Sequence, residues 1–512
     1  MTDGWHPQHR EKRERALQPR VARGLTWAVV DTWGRQVLNL AVFVVLARLL
    51  TEADFGVVAL AAVFVALAQI LVDQGLGDAL IQRREITRSH VDTAFWVAIV
   101  TGILLTVAMV ALSIPLAGIL GEPELQPILM VLSLSFVLAA LSSIQIALLR
   151  RELAFRSLAI RSLLASLGGG IVGILLALAG FGAWALVGQQ LVSAAISVLA
   201  LWGLSPWRPS WNASLQHFRE LFPFGARVVG SDILTFLSRH GDNFLIGAVL
   251  GTTPLGLYAV GYRLLEATQV MLVNVARKIT FPVFSRLQDD PERLVGAYLR
   301  VTRAAGALIL PGYVGMALAA PELVSTVFGD GWEQSGDVAS VLFLIGPVLS
   351  VQAFSGSFLN AAGRPEVVLR FRLLTTAANL AGFIIAVPFG IVAVAWAFVI
   401  RGYLLLPVNL HWMQLHGGVP VGAYFAELRG AAVATALMAA SVVSVKLAIG
   451  PVLSDGLQLL AEGAVGSLTF LGGMWLVDRV GLQQLAALGR QVMRRGPRAA
   501  EVTVADDDAD LP

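Results

Sequence analysis

What most constrains this chain is a series of apolar stretches, each about 20 residues long, that follow one another with little in between. A helix needs about 20 mostly apolar residues to cross the ~30 Å hydrocarbon layer. The pattern predicts fourteen such spans, near 25–46, 56–80, 93–114, 126–149, 158–179, 183–204, 222–247, 255–280, 302–320, 338–360, 370–388, 391–412, 431–449 and 457–476. Connections are short, mostly under about 12 residues, so no sizeable extramembrane domain fits between them. Composition agrees: 56% of the 512 residues are hydrophobic, 14% are charged, and the mean hydropathy is +0.74. A soluble domain carries roughly 25% charge, and its core stops growing near ~250–300 residues. A soluble enzyme, a nucleic-acid module and a disordered scaffold are excluded. With no cysteine, so are a disulfide framework, Cys-ligated zinc, an iron–sulfur cluster and a thiol nucleophile.

Lys and Arg in short loops stay on the cytoplasmic side. Of the 37 basic residues, 27 fall on one side: the group from Arg10 to Arg23, then Arg83, Arg84, Arg88, Arg150, Arg151, Arg156, Arg161, Arg208 and Arg219. Arg286, Arg293, Arg300, Arg364, Arg370, Arg372, Arg429 and the group from Arg479 to Arg498 follow on that side. The opposite side holds only Arg48, with Glu52, Asp54, Glu122, Glu124, Glu322, Asp330, Glu333 and Asp455. A miscounted span would scramble this alternation, so the charges independently predict fourteen helices with both termini cytoplasmic. The first apolar run is too long for a signal peptide and thirteen more follow it, so the N-terminus is expected to be kept. Only 3 of the basic residues are Lys, a bias associated with GC-rich bacterial genomes and so with a bacterial plasma membrane.

Several segments carry a family likeness: ARLLTEADFG (Ala47 to Gly56), DQGLGDALIQR (Asp73 to Arg83), ALLRRELAF (Ala147 to Phe155) and GFGAWALVGQQ (Gly180 to Gln190). IGAVLGTTPLGLYAVGYRL (Ile246 to Leu264), FPVFSRLQDDPERL (Phe281 to Leu294), FGDGW (Phe328 to Trp332) and NAAGRP (Asn360 to Pro365) continue it. From about Gly24 to about Leu415 the chain resembles the polysaccharide flippases of the multidrug/oligosaccharidyl-lipid/polysaccharide exporter superfamily. Glu52 departs from the pattern, since the family usually has proline there. The resemblance implies an all-α fold with two six-helix lobes around a central cavity, plus two trailing helices. It also implies movement of a lipid-linked saccharide from the inner to the outer leaflet for lipopolysaccharide, exopolysaccharide or capsule assembly. The expected segments are a basic N-terminus at 1–23, one lobe at 24–204, a linker at 205–221 and a second lobe at 222–415. Spans 13–14 follow at 416–476, then an amphipathic segment and acidic tail at 477–512. AxFGxxAL (Ala53 to Leu60) and PLGLYAVG (Pro254 to Gly261) each open the second helix of a lobe, which reads as an internal two-fold repeat.

An ionisable residue near the bilayer centre costs about 2.5–3.5 kcal/mol even on the milder scales, so it is paired or faces water. Nine basic residues lie outside the loop tally: Arg35, Arg227, Arg239, Arg263, Arg277, Lys278, Arg303, Arg401 and Lys446. Arg35 sits roughly 15 Å into the first span, and Arg263 is similarly deep in the eighth. Asp31, Arg35 and Asn39 recur every four residues as one polar stripe. The seventh span aligns Ser231, Thr235, Ser238 and Asp242, with Asp232 and Arg239 beside them; the eighth aligns Tyr258, Tyr262, Glu266 and Gln269 next to Arg263. Such stripes would line a cavity between lobes. Arg offers planar multidentate donors for a pyrophosphate, and Tyr, Gln and Asn suit sugar hydroxyls. The competing reading makes Asp31 with Arg35, and Glu266 with Arg263, closed ion pairs that only fix packing. Arg48 is read either as part of the cavity or as an interfacial charge. Asp73 and Asp78 either cap a loop or couple transport to an ion.

Other signals carry less. No GxxxxGK[ST] or HExxH pattern occurs, and Asp506 to Asp508 lie in a tail without an apolar anchor. The glycines at 168, 169, 170 and 173 suit close helix approach, and 477–496 reads as a helix on anionic headgroups. Cofactors and a nucleic-acid partner are not expected. The expected partners are a lipid-linked oligosaccharide, membrane lipids, and the polymerase and chain-length machinery. Two alternatives compete. A cationic-drug exporter of the same superfamily should have an acidic cavity. A membrane polysaccharide polymerase or ligase should carry catalytic residues in a large outer loop, and the longest one here, about Pro321 to Asp337, has no His, Lys or Arg.

Overall fold

A computed structural model describes residue 27 and residues 31–73, 75–83, 85–274, 284–285, 287–449, 453–479 and 481–483. Helix α1 runs over 31–49. It is followed by α2 (Glu52–Asp73), α3 (Leu76–Gln82), α4 (Arg88–Leu120), α5 (Leu125–Leu132), α6 (Leu134–Arg151), α7 (Phe155–Leu178), α8 (Trp184–Leu204) and α9 (Leu215–Leu250). Next come α10 (Thr252–Gln269), which continues into a π-turn at Val270–Asn274, then α11 (Pro291–Phe328), α12 (Glu333–Phe343), α13 (Gly346–Gln352) and α14 (Ser355–Ala361). The chain closes with α15 (Pro365–Ala386), α16 (Ile391–Gly417), α17 (Val421–Ile449) and α18 (Asp455–Val477). No strand occurs among the described residues, as the all-α expectation requires. In lipid every backbone group must be satisfied within its own helix.

Eleven of the helical stretches are long and apolar enough to cross a membrane. Of the fourteen expected spans, the first, seventh and eighth (α1, α9 and α10) are helical but fall outside that set. These are the stretches with the polar stripes. The helices also overrun the expected spans. At ~1.5 Å per residue the 36 residues of α9 and the 38 of α11 measure about 54 and 57 Å, beyond a ~30 Å hydrocarbon layer. Their overhangs carry Arg219, Arg293 and Arg300, so charges expected in loops ride on helix ends. Arg161, expected among the loop charges, lies in the second turn of α7.

The predicted long loop from Pro321 to Asp337 is corrected. Proline disfavours a helix interior, yet α11 runs through both Pro311 and Pro321 to Phe328, leaving only 329–332 before α12. Glu322 is therefore a buried helix residue and not an outer-loop charge. The predicted glycine seam packs α7 on α8: a Cβ on Gly169 would lie 2.6 Å from the Gln189 carbonyl oxygen.

The two halves meet where α2 packs on α10. A Cβ on Gly56 would sit 1.8 Å from the carbonyl oxygen of Thr252, and one on Gly256 would sit 1.9 Å from that of Glu52. Gly56 and Gly256, like Glu52 and Thr252, stand 200 apart in number, so the contact is reciprocal, as two related helices crossing about an approximate two-fold axis would make it. Around this crossing Arg48 donates from Nε to the Val327 carbonyl (2.7 Å) and from Nη2 to that of Thr326 (2.6 Å). Trp332 Nε1 donates to the Ala47 carbonyl at 3.0 Å, and Thr252 Oγ1 to Glu122 Oε1 at 3.0 Å. Phe43, Phe55, Phe328 and Trp332 interlock edge to face beside them. We call this the Arg48 end.

At the opposite, Arg83 end, residues 205–214 link α8 to α9 and are tied to α4: Trp96 Nε1 donates to the Ser210 carbonyl at 2.8 Å, and the Ser214 N–H to Thr93 Oγ1 at 3.0 Å. Arg83 Nη2 meets Glu220 Oε2 at 2.6 Å. Helices α17 and α18 pack on each other and on α11, where Arg303 bonds Asp478 and lies 3.6 Å from Glu427. Of the expected amphipathic segment, 484–496 lies outside the described residues, as do Arg277 and Lys278.

Candidate functional site

Between the halves lies a cavity of about 370 Å³, within the range of small-ligand sites. Gln36 of α1 lines it, with Arg239 of α9, Arg263, Glu266 and Gln269 of α10, and Gln352 of α13. Four of the expected site residues are thus brought together: Arg239, Arg263, Glu266 and Gln269. The three polar positions of α10 share one face because each is three residues from the next, the spacing of neighbours on a helix. The π-turn at Val270–Asn274 then ends the regular α-helix, and Val270 and Val273 form part of the wall. Single π-turns inside helices recur at functional sites.

Arg263 is held from two sides. Its Nη1 lies 3.6 Å from Glu266 Oε2, and its guanidinium lies over the Phe43 ring with 5.9 Å to the centroid. Both partners in the ion pair are nearly half exposed, so the bridge orients Arg263 without consuming its remaining donors. Arg239 has no acidic partner among the described residues. Two guanidiniums against one carboxylate leave the cavity net positive. Gln352 Nε2 is shut off from solvent with no hydrogen-bond partner among the described residues.

The other expected residues are placed elsewhere. Tyr262 lines an adjoining cavity of about 270 Å³ with Arg263, Glu266, His240 and Asn243. Asp31 accepts a hydrogen bond from Ser162 Oγ on α7; it makes no ion pair with Arg35, which is exposed, whereas its neighbour Gln36 reaches the cavity. Asn39 is half-buried and Asp232 is exposed. Arg48 is exposed, is not among the residues lining the cavity between the halves, and clamps the end of α11. Asp78 lines a third cavity of about 180 Å³ with Ser143 and Arg150.

Sequence reasoning missed Gln36 and Gln352. Gln36 is one step from the polar stripe of α1, and Gln352 stands in a stretch without charges, so neither had a periodic signal. It also left aside Asp242, noted on the polar face of the seventh span. That carboxylate is buried and accepts from Tyr258 Oη and from the Asn243 N–H, both at 2.8 Å. Arg401 of α16 lies over Phe398, 4.8 Å from the ring centroid, beside an apolar groove of about 660 Å³ between α15 and α16.

The chain is 27% identical over 495 residues to the succinoglycan biosynthesis transport protein ExoT of Rhizobium meliloti (strain 1021), covering 95% of this chain and 98% of the relative. It is 27% identical over 363 residues to the lipopolysaccharide biosynthesis protein WzxC of Escherichia coli (strain K12), covering 70% of this chain and 74% of the relative. The fold is similar to that of the lipid II flippase MurJ in an inward closed conformation, with a TM-score of 0.70 at 12% identity, over 89% of this chain and 99% of that one. The sequence model of the polysaccharide biosynthesis protein family matches residues 45–337, and this chain belongs to that family.

Proposed function

We propose that this chain is a flippase that carries a polyprenyl-pyrophosphate-linked oligosaccharide across the bacterial inner membrane for lipopolysaccharide, exopolysaccharide or capsule synthesis. One observation carries the reading: Arg239 and Arg263 share an interlobe cavity with a single carboxylate and the amides of Gln36, Gln269 and Gln352. Guanidiniums take up the pyrophosphate through paired N–H donors, and the amides meet sugar hydroxyls. The names of the relatives point the same way. A cationic-drug exporter would need the opposite charge balance here.

The halves touch at both ends, through α2 on α10 at the Arg48 end and through α3 on α9 and the Arg83–Glu220 bridge at the Arg83 end. Substrate enters when the Arg83 end, which the basic loops make cytoplasmic, parts while the Arg48 end stays closed. Rocking of the two halves about the midplane cavity then exposes it to the outside, as in alternating-access transporters. Fourteen spans and two cytoplasmic termini belong to this proposal, as does supply of the translocated saccharide to a polymerase. The test is a deletion strain, in which lipid-linked saccharide should accumulate on the inner leaflet. Complementation with Arg263→Ala or Arg239→Ala should leave that accumulation uncorrected at normal protein level. Unchanged surface glycans with no accumulating lipid would overturn the flippase reading, and full complementation by both variants would overturn the site.

A further inference from the structure

Beneath the Arg48 clamp, α11, α17 and α18 enclose four polar side chains, none of which lines the interlobe cavity. Lys446 Nζ lies 2.7 Å from Glu322 Oε1 and donates to the Leu318 carbonyl at 3.0 Å. The Gln458 amide splits its two N–H groups, one to Glu322 Oε1 at 3.0 Å and one to Glu462 Oε1 at 2.8 Å. Glu322 is 9% exposed and Glu462 only 3%. Both second oxygens, Glu322 Oε2 and Glu462 Oε2, are closed off from solvent without a hydrogen-bond partner among the described residues. At ~1.5 Å per residue Glu322 lies about 9 Å inside the end of α11, and Glu462 about 10 Å inside the start of α18.

The charges here do not balance. Two carboxylates face one ammonium, and that ammonium sits on Glu322. The remaining charged group nearby, Asp455 in the first turn of α18, is exposed and bonded by Ser325 Oγ at 2.5 Å. On the helices packed against α18, the other charges (Glu427 and Arg429 on α17; Glu292, Arg293, Arg300 and Arg303 on α11) stand at the Arg83 end. An ionised Glu462 would be a buried carboxylate without a counter-ion, which is costly enough that such a group takes up a proton instead.

We propose that Glu462 is a proton-binding site that carries its proton while Lys446 neutralises Glu322 and Gln458 bridges the two carboxyl groups. The site is one helical turn below the Thr326 and Val327 carbonyls that hold Arg48. Losing the proton therefore acts on the helix end that closes the two halves. In the proposed orientation the proton comes from the outer aqueous phase.

Infrared spectroscopy of the full chain in lipid nanodiscs at pH 7 tests the charge count. The wild type should show a protonated-carboxyl C=O band that is absent from Glu462→Gln. Glu322→Gln should lose it as well, because Lys446 then neutralises Glu462. Lys446→Met should raise its intensity about twofold, since both carboxylates then need a proton. Should Glu462→Gln fail to fold, Glu462→Asp serves for assignment by moving the band. The proposal is overturned if the wild type has no band that Glu462 substitution alters, or if Glu322→Gln leaves it intact. It is equally overturned if replacing choline with sodium abolishes the band, which would make the ligand a metal cation.

Discussion

Substituting Gly256 by Ala should open the Arg48 end. The new methyl would lie 1.9 Å from the Glu52 carbonyl oxygen and 3.0 Å from the Gly56 nitrogen. Both are backbone atoms, so no side chain can rotate away, and ordinary contact requires α2 and α10 to part by about 1.5 Å. Overpacking of this kind costs typically ~1–3 kcal/mol. The cost falls on the conformer in which α2 crosses α10 at this point, so the equilibrium should move about 5- to 150-fold toward the conformer with the Arg48 end open. The chain has no cysteine, so spin labels at Glu124→Cys and Asp330→Cys, both exposed on opposite halves of this end, report the separation directly. The distance distribution should gain a longer population in Gly256→Ala. Gly118→Ala, where a Cβ meets nothing within 4 Å, should leave it unchanged. An unaltered distribution in a folded, stable Gly256→Ala protein would refute the idea that this crossing is the closure.

Arg48→Gln removes two charge-assisted bonds to the end of α11, where a cation also complements the helix dipole. Because Arg48 is exposed, the effect should be about 1 kcal/mol or less after solvent screening, seen as a smaller shift in the same spin-label distances; a shift equal to that of Gly256→Ala would contradict this ranking. At the other end, the hydrogen bond from Arg83, then that from His90, holds the Glu220 carboxyl below its ordinary range. A depressed carboxylate stabilises above its unfolded pKa of about 4.5 and loses that contribution as pH falls through the folded value. Hydrogen-exchange protection in the 205–214 linker, relative to the intrinsic rate at each pH, should therefore fall on acidification below about pH 4.5. Glu220→Gln should show low protection at every pH, and equal pH dependence of protection in both proteins would remove the role assigned to this latch.

The fold was largely legible because lipid simplifies the problem. A lipid-facing span must be helical and mostly apolar, so counting runs located the long helices. The failures came where a local rule met tertiary packing. Pro321 reads as a helix stop, but α11 continues through it. That one misreading put Glu322 in a loop and hid its bond to Lys446. Within the site, periodicity found the α10 residues because their spacing alone places them on one face. Gln36 and Gln352 enter through rotation and position of their helices, which no pattern along the chain encodes. Arg35 illustrates the same limit: the stripe was real, but the residue beside it is the one that reaches the cavity.

Among the described residues, the three expected spans outside the apolar set, α1, α9 and α10, carry most of the polar residues that line the cavity. An isolated α9 or α10 would be a poor membrane span, since each intramembrane charge costs several kcal/mol unless water or a partner meets it. Neither is isolated. α10 lies between α2, α9 and α12, and α9 between α2, α4, α10 and α15, so Arg239 of α9 and Arg263, Glu266 and Gln269 of α10 turn toward the cavity. Apolarity of the outer helices is thus what allows the inner ones to be polar. It follows that an Arg263→Leu substitution should cost little in insertion or stability, because the arginine sits half exposed in the cavity and not against lipid. A loss of transport in that variant with unchanged thermal stability would fit a recognition residue. A large loss of stability would instead assign Arg263 and Glu266 to helix packing.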